Sequence, residues 1–280
     1  METRAYFSNT ATARPRPPEA SSSETEKVGQ MTPGLRDYRT TGPRQTQLEG
    51  DGLRPLREAN CEAYLAGNGR RLRFTLGLVR RLKPPPSTNV LDVGPHVLTT
   101  RLRRLYEKVD SLGINPPDEY VQPRWNEQHF EQDLSDFGSV TLPSHSYDLI
   151  VCCGVVEHIT SLPREWMGFF GRMMRPDGLL VIETPNGAAL KNRLMMLAGV
   201  QPYHCKERPE NGDKGHIREW TKREILEAAR DSGLRLVRYL CVNDIVHPGL
   251  AGRIYRWVQA VLPAGLRDDM YFVFGRADLP

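Results

Sequence analysis

A chain of 280 residues with 39% hydrophobic composition can bury one sizeable core, so a single α/β domain with an appended tail is expected rather than two full domains. Its 38 basic and 34 acidic residues leave a net charge of only +4, without the dense basic stripe that nucleic-acid binding requires, and no run reaches the roughly 18 apolar residues of a membrane-spanning helix. Cys61, Cys152, Cys153, Cys205 and Cys241 form no Cys-x-x-Cys pair and have no histidine at zinc spacing, so neither a disulfide framework nor a metal site is expected. A reducing, cytoplasmic setting follows, and the N-terminus lacks the apolar core of a secretory signal.

Residues 1–56 are rich in Pro, Ser, Thr, Gly and charge, with no sustained apolar period, and read as a disordered tail ahead of a domain over 57–280. From Pro55 to Leu82 the pattern becomes helical: Leu72, Leu76, Val79 and Leu82 recur at three- and four-residue steps, and the intervening arginines, Arg71 among them, read as a solvated face. After Pro84-Pro85-Pro86 strands and helices alternate. Strands are expected at Asn89 to Gly94, Val109 to Ile114, Glu127 to Glu131, Tyr147 to Cys153, Leu179 to Glu183, Leu234 to Val242 and Met270 to Phe274. Helices are expected at Val97 to Glu107, after Cys153 at Glu157-His158, at Trp166 to Met174 with an exit turn Arg175-Pro-Asp-Gly178, and at 187–199. Another opens on the capping box Thr221-Lys-Arg-Glu224. Residues 250–262 place Leu250, Ile254, Trp257, Val258 and Val261 on one helical face, expected to pack against the domain, with a peripheral membrane or dimer contact as the other use of such a face.

The first strand carries an acid, Asp92, between Leu91 and Val93, and stops at Gly94 before a helix. A strand that turns at a glycine into a helix is where an α/β sheet commonly holds a nucleotide-like ligand, and an acid inside such a strand needs a partner. Asp92 either takes hydrogen bonds from a bound cationic cofactor or from glycine-turn N–H groups, or caps the turn with no ligand. Cys152 and Cys153, adjacent on a strand, should point to opposite faces and be inert.

Four segments, Val90-Leu-Asp-Val-Gly94, Tyr147 to Ile159, Met174 to Asn186, and Gly215-His-Ile-Arg-Glu-Trp-Thr221, together resemble the class I S-adenosylmethionine-dependent methyltransferases, and among these the ubiquinone-biosynthesis-like small-molecule branch. The resemblance spans roughly residues 70 to 245, about one domain. It implies a Rossmann-like seven-stranded, mostly parallel sheet with helices on both faces, and S-adenosylmethionine as cofactor. In that scheme Asp92, Gly94, Pro95 and His96 face the methionine and ribose, and Asn115 stands where the family has a ribose-binding acid, with Asp118 and Glu119 as nearby substitutes. Asp133 and the backbone of Leu134 meet the adenine, with Asp136 as the alternative, and Cys153 and Gly154 line the cofactor beside the methyl group. The family's Gly-x-Gly-x-Gly is reduced here to Gly94-Pro95-His96-Val97-Leu98, and that departure, with Asn115, also suits a non-catalytic binding or scaffold protein that kept the fold. His158 and His216 are the candidate catalytic residues, each readable instead as a structural hydrogen-bonding residue. The resemblance implies methyl transfer to an oxygen, in preference to a nitrogen, of a small molecule such as a sugar, polyketide-like or lipid-linked acceptor. A cover over the pocket is expected at Leu190 to Gly215, from Met195, Met196, Tyr203 and His204.

Overall fold

The computed structural model describes residues 54–83 (side chains from 67 onward), 86–113, 122–135, 142–202, 215–243 and 253–277, the last without 256, 259 and 260. Of the expected tail, 54–56 already belong to helix α1 and the rest lies outside the described residues.

In chain order the elements are α1 (Arg54–Leu82), β1 (Asn89–Val93), α2 (Val97–Leu102), β2 (Lys108–Gly113), β3 (His129–Glu131), β4 (Tyr147–Cys153), α3 (Pro163–Met173), β5 (Met174–Pro185), α4 (Leu190–Leu197), α5 (Lys222–Asp231), β6 (Leu234–Val242) and β7 (Asp269–Arg276). The seven strands form one sheet in the order β3-β2-β1-β4-β5-β7-β6. β1 to β5 pair in parallel, and β7 runs antiparallel between β5 and β6. The strand order reverses between β1 and β4, and a sheet of this kind opens its ligand crevice beyond the carboxyl ends of the strands at that point.

β4 lies at the centre because Leu149, Ile150, Val151 and Cys152 are apolar in succession and all fully buried, as a strand covered on both faces demands. One face packs on α3 and α5 through Trp166, Phe170, Ile225 and Ala228, the other on α1 and α2 through Leu72, Leu78, Val79 and Leu102. Cys152 belongs to the first core and Cys153 packs against the second, so strand alternation separates the paired cysteines as expected. The capping box forms: the Thr221 N–H donates to Glu224 Oε2 at 2.9 Å and the Glu224 N–H to Thr221 Oγ1 at 3.4 Å.

Several expectations are corrected. The helix expected to reach Glu107 stops at Leu102, where Arg103 turns inward to pair with Glu127 at 2.8 Å and Tyr106 is buried. Glu127 is not in β3: its buried carboxylate accepts the N–H groups of Val109 and Arg124. The turn Arg175 to Gly178 is drawn into β5 as an irregularity opposite Tyr147 to Leu149, and a Cβ on Gly178 would lie 2.8 Å from the Tyr147 carbonyl. Glu157-His158 lies in a single 3₁₀ turn, Val156–His158, and the next helix starts at Pro163, where proline is tolerated at a first turn. The apolar face of the late helix does not pack inward: Ile254, Trp257 and Val261 are 57%, 80% and 83% exposed. Among the described residues no helix is long and apolar enough to cross a membrane.

Candidate active site

The crevice floor is built from two glycines with left-handed backbones at the ends of the central strands. Gly94 after β1 has φ +75°, and a Cβ there would meet Val155 Cγ2 at 2.6 Å; Gly154 after β4 has φ +67°. At both positions bare backbone is required, which leaves room for a ligand to approach the main chain. The Gly94 N–H donates to the Leu112 carbonyl at 2.8 Å, and the Pro95 ring lies over Gly113, whose added Cβ would be 2.9 Å from Pro95 Cδ. The turn that replaces the family's second and third glycines is thus seated on the end of β2.

Asp92, 1% exposed, finds its partner in α2. The Thr99 hydroxyl donates to Asp92 Oδ2 at 2.6 Å and accepts the His96 N–H at 2.8 Å, so the acid holds the loop through Thr99. Burial pushes the Asp92 carboxyl up to about 7, against the downward pull of the Thr99 hydrogen bond and the Arg103 charge.

Beside Gly154 stands a partly buried ion pair. Arg71 of α1, expected on a solvated face, instead extends its Nη1 to within 3.5 Å of Glu183 Oε2, and Glu183 is fully buried at the end of β5. The guanidinium crowds Gly154, where an added Cβ would be 3.0 Å from it, and the Gly154 N–H donates to the Glu183 carbonyl at 3.0 Å. Burial, with the nearby Glu183 charge, holds the Cys153 thiol well above its ordinary range, which keeps it unreactive.

The third limb brings the two candidate histidines together. The rings of His158 and His216 meet edge to face with centroids 5.0 Å apart. His158 Nδ1 is 2.8 Å from the Gly215 carbonyl, an acceptor, so Nδ1 carries the proton in that hydrogen bond. His216 Nδ1 is 3.1 Å from Glu219 Oε1; that hydrogen bond raises the His216 pKa, burial opposes it, and the Glu157 charge reinforces the rise. Burial pulls the Glu219 carboxyl upward, but His216 and Asn192, whose Nδ2 donates to Oε2 at 2.8 Å, bring it below its ordinary value. Glu157, 1% exposed, accepts the Thr184 hydroxyl at 3.1 Å, and its carbonyl accepts the N–H groups of Ile217 and Arg218. Burial raises the Glu157 carboxyl, opposed by its backbone hydrogen bond and by the charges of His216 and Arg71. Gly187 seals the limb: its N–H donates to the Trp220 carbonyl at 3.0 Å, and a Cβ there would strike the Glu219 carbonyl at 2.6 Å.

Asp92, Gly94, Pro95, His96, Cys153 and Gly154 therefore line the ends of β1 and β4, with His158 and His216 paired beyond them. Asp133 is exposed, and its Oδ1 accepts the Ser135 N–H at 2.8 Å, while Leu134 is buried in the core. Asn115, Asp118, Glu119, Asp136, Tyr203 and His204 lie outside the described residues. Sequence reasoning passed over Arg71, Thr99, Glu183, Asn192 and Glu219. Glu183 carried the same signal as Asp92, an acid in an apolar strand, and Glu219 stands three residues after His216.

A sheet ordered 3-2-1-4-5-7-6 with a glycine turn after β1 defines the Rossmann-like class I methyltransferase architecture. The family model described as a methyltransferase domain matches residues 67–239. The chain belongs to that family, and it is an S-adenosylmethionine-dependent methyltransferase. Solved structures share the fold at low identity. A Haloferax volcanii chain described as a methyltransferase, in complex with the Trm112 methyltransferase activator, is 14% identical with a TM-score of 0.55, over 79% of this chain and 95% of that one. A chain from Bacillus halodurans described as a methyltransferase is 13% identical with a TM-score of 0.50, over 72% and 98%. The [4+2]-cyclase SpnF is 14% identical with a TM-score of 0.50, over 74% and 81%. No curated protein sequence matches.

Proposed function

We propose that the enzyme methylates a hydroxyl oxygen of a small-molecule acceptor, which lies between the cofactor loop and the His158–His216 pair. The supporting observation is the meeting of those two rings, 5.0 Å apart, beyond Gly154 at the switch point of the sheet. S-adenosylmethionine supplies a methyl carbon on a sulfonium, whose C–S bond breaks as the acceptor oxygen bonds to that carbon, the electron pair returning to sulfur as a neutral thioether. Asp92, Gly94, Pro95 and His96 hold the methionine and ribose side, Asp133, Leu134 and Asn115 the adenosine side, and Cys153 and Gly154 the methyl end. The imidazoles receive the acceptor hydroxyl and take its proton, and Glu219 fixes the orientation of His216. Positioning does most of the rest, since aligning nucleophile and methyl can supply on the order of 7 to 11 kcal/mol. The net charge of +4 favours a small acceptor over a nucleic acid.

The test pairs calorimetry with turnover. Wild-type protein should bind S-adenosylhomocysteine, and a mass-shift screen of hydroxylated metabolites should return a product heavier by one methylene. His158→Ala and His216→Ala should each lower kcat on that acceptor about a hundredfold while leaving cofactor-product binding within about threefold. Absence of binding heat and of thermal stabilisation at millimolar ligand would turn the reading toward a fold retained for scaffolding.

A further inference from the structure

We propose that Glu157, His158 and His216 form a binding site for a first-row divalent cation, Zn2+ foremost. Among the described residues, these three offer one ligand atom each with all of them within 4.8 Å of one another. Three protein ligands of two imidazoles and one carboxylate, with a position left open, form a donor set suited to catalytic zinc.

The surroundings of the donors carry the inference further than their proximity does. A metal-binding histidine hands its other ring N–H to a carbonyl or carboxylate, which fixes the tautomer and aims the lone pair. Both histidines do so here. His158 gives Nδ1–H to the Gly215 carbonyl at 2.8 Å, and His216 directs Nδ1 to Glu219 Oε1 at 3.1 Å, which places the ligating lone pair of each ring on Nε2. Glu219 is itself fixed by Asn192 Nδ2 at 2.8 Å, and Asn192 also donates to the Asn186 carbonyl at 3.1 Å. Glu157 is oriented by the Thr184 hydroxyl and by the strand end from which its turn departs. Oxygen-loving Mg2+ is a poor match for two imidazoles. Zinc–ligand bonds of about 2.0–2.2 Å require the donors to draw in by about an ångström.

The inference rests on the reading that this corner receives the acceptor hydroxyl. On that reading the open position takes the acceptor oxygen; the cation, which occupies both Nε2 lone pairs, replaces the imidazoles as the group that activates the hydroxyl by acidifying its O–H bond, and the proton leaves to water before the oxygen attacks the methyl carbon. Acceptors with a second oxygen next to the methylated one, able to chelate, are the favoured class.

Full-length protein stripped with EDTA and titrated with Zn2+ against a chromophoric chelator should bind one equivalent. His158→Ala and His216→Ala should each weaken binding at least a hundredfold, and Glu219→Gln about 10- to 100-fold without removing a ligand. Mg2+ in hundredfold excess should leave the zinc in place. Thermal unfolding of each variant, and S-adenosylhomocysteine binding by the same samples, show that the domain is folded. Wild-type protein that binds the cofactor product but no zinc would overturn the metal site and leave methyl transfer standing. Zinc held equally by all three variants would overturn it too, since the cation would then lie elsewhere, for example on cysteines. Zinc binding lost in the variants, in a protein that ignores the cofactor product, would sustain the metal site and sink the methyl-transfer reading.

Discussion

Asp92 in β1 and Glu183 in β5 are buried carboxylates among apolar strand residues, and each is answered differently. Asp92 has a hydroxyl partner and a distant charge; Glu183 has a guanidinium. With its carboxyl raised to about 7, Asp92 keeps its proton in the native state over a pH range where the unfolded chain has lost it. Its contribution therefore makes the fold less stable as pH rises from about 4 to 7, by on the order of 4 kcal/mol. Asp92→Asn should remove that slope: denaturant unfolding at intervals from pH 4 to 8 should show the variant gaining on wild type as pH rises, and parallel profiles would refute it. For Glu183 the pair itself is the issue. Arg71→Met leaves a fully buried carboxylate without its cation and should cost about 3 kcal/mol, and Arg71→Met with Glu183→Gln should recover most of that in a double-mutant cycle. Asp92 stood out in the sequence as an acid inside a strand, and His158 and His216 drew notice through the segments that resemble the methyltransferases. Arg71 did not, because an arginine among arginines on a helix carries no local sign that it will turn inward.

At the level of elements, close approach of backbone matters more than helix or strand preference. Gly187 lies against the Glu219 carbonyl, and a methyl group there has nowhere to go but into the segment that carries His216. Gly187→Ala should destabilise by about 1–3 kcal/mol and lower turnover at least tenfold, more than it lowers cofactor affinity; unchanged kinetics would mean that the segment adjusts freely. The late helix gives the opposite case. Its spacing of Ile254, Trp257, Val258 and Val261 is that of a buried face, yet all four are exposed. Periodicity reports that a helix has an apolar side, not which neighbour covers it. Trp257→Gln should shift the unfolding free energy by less than about 0.5 kcal/mol, where a packed tryptophan would lose several. The misjudged boundaries share a physical cause, since Glu127 and Arg175 to Gly178 were read by local propensity while their hydrogen bonds come from distant strands.

For the molecule as a whole, the order of motifs along the chain revealed the architecture although each motif alone was weak, because a doubly wound sheet brings the ends of successive strands to one edge. What the motifs did not convey is how β7 ties that edge together. It lies between β5 and β6, and the stretch leading into it is bound to the loop after β5: Asn186 Nδ2 donates to the carbonyls of Gly265 and Arg267 at 3.0 and 2.8 Å, and the Asn186 N–H to that of Asp268 at 2.7 Å. The sheet's last strand in chain order is therefore an inner one. During synthesis, β1 to β5 leave the ribosome with the flank of β5 open and Asn186 unmatched, and β6 has no place to dock until β7 emerges. Assembly of the corner that holds His158 and His216 then waits until β7 has been translated, so nascent chains arrested before Asp269 should be cut by protease around Asn186, and chains extending past Arg276 should resist.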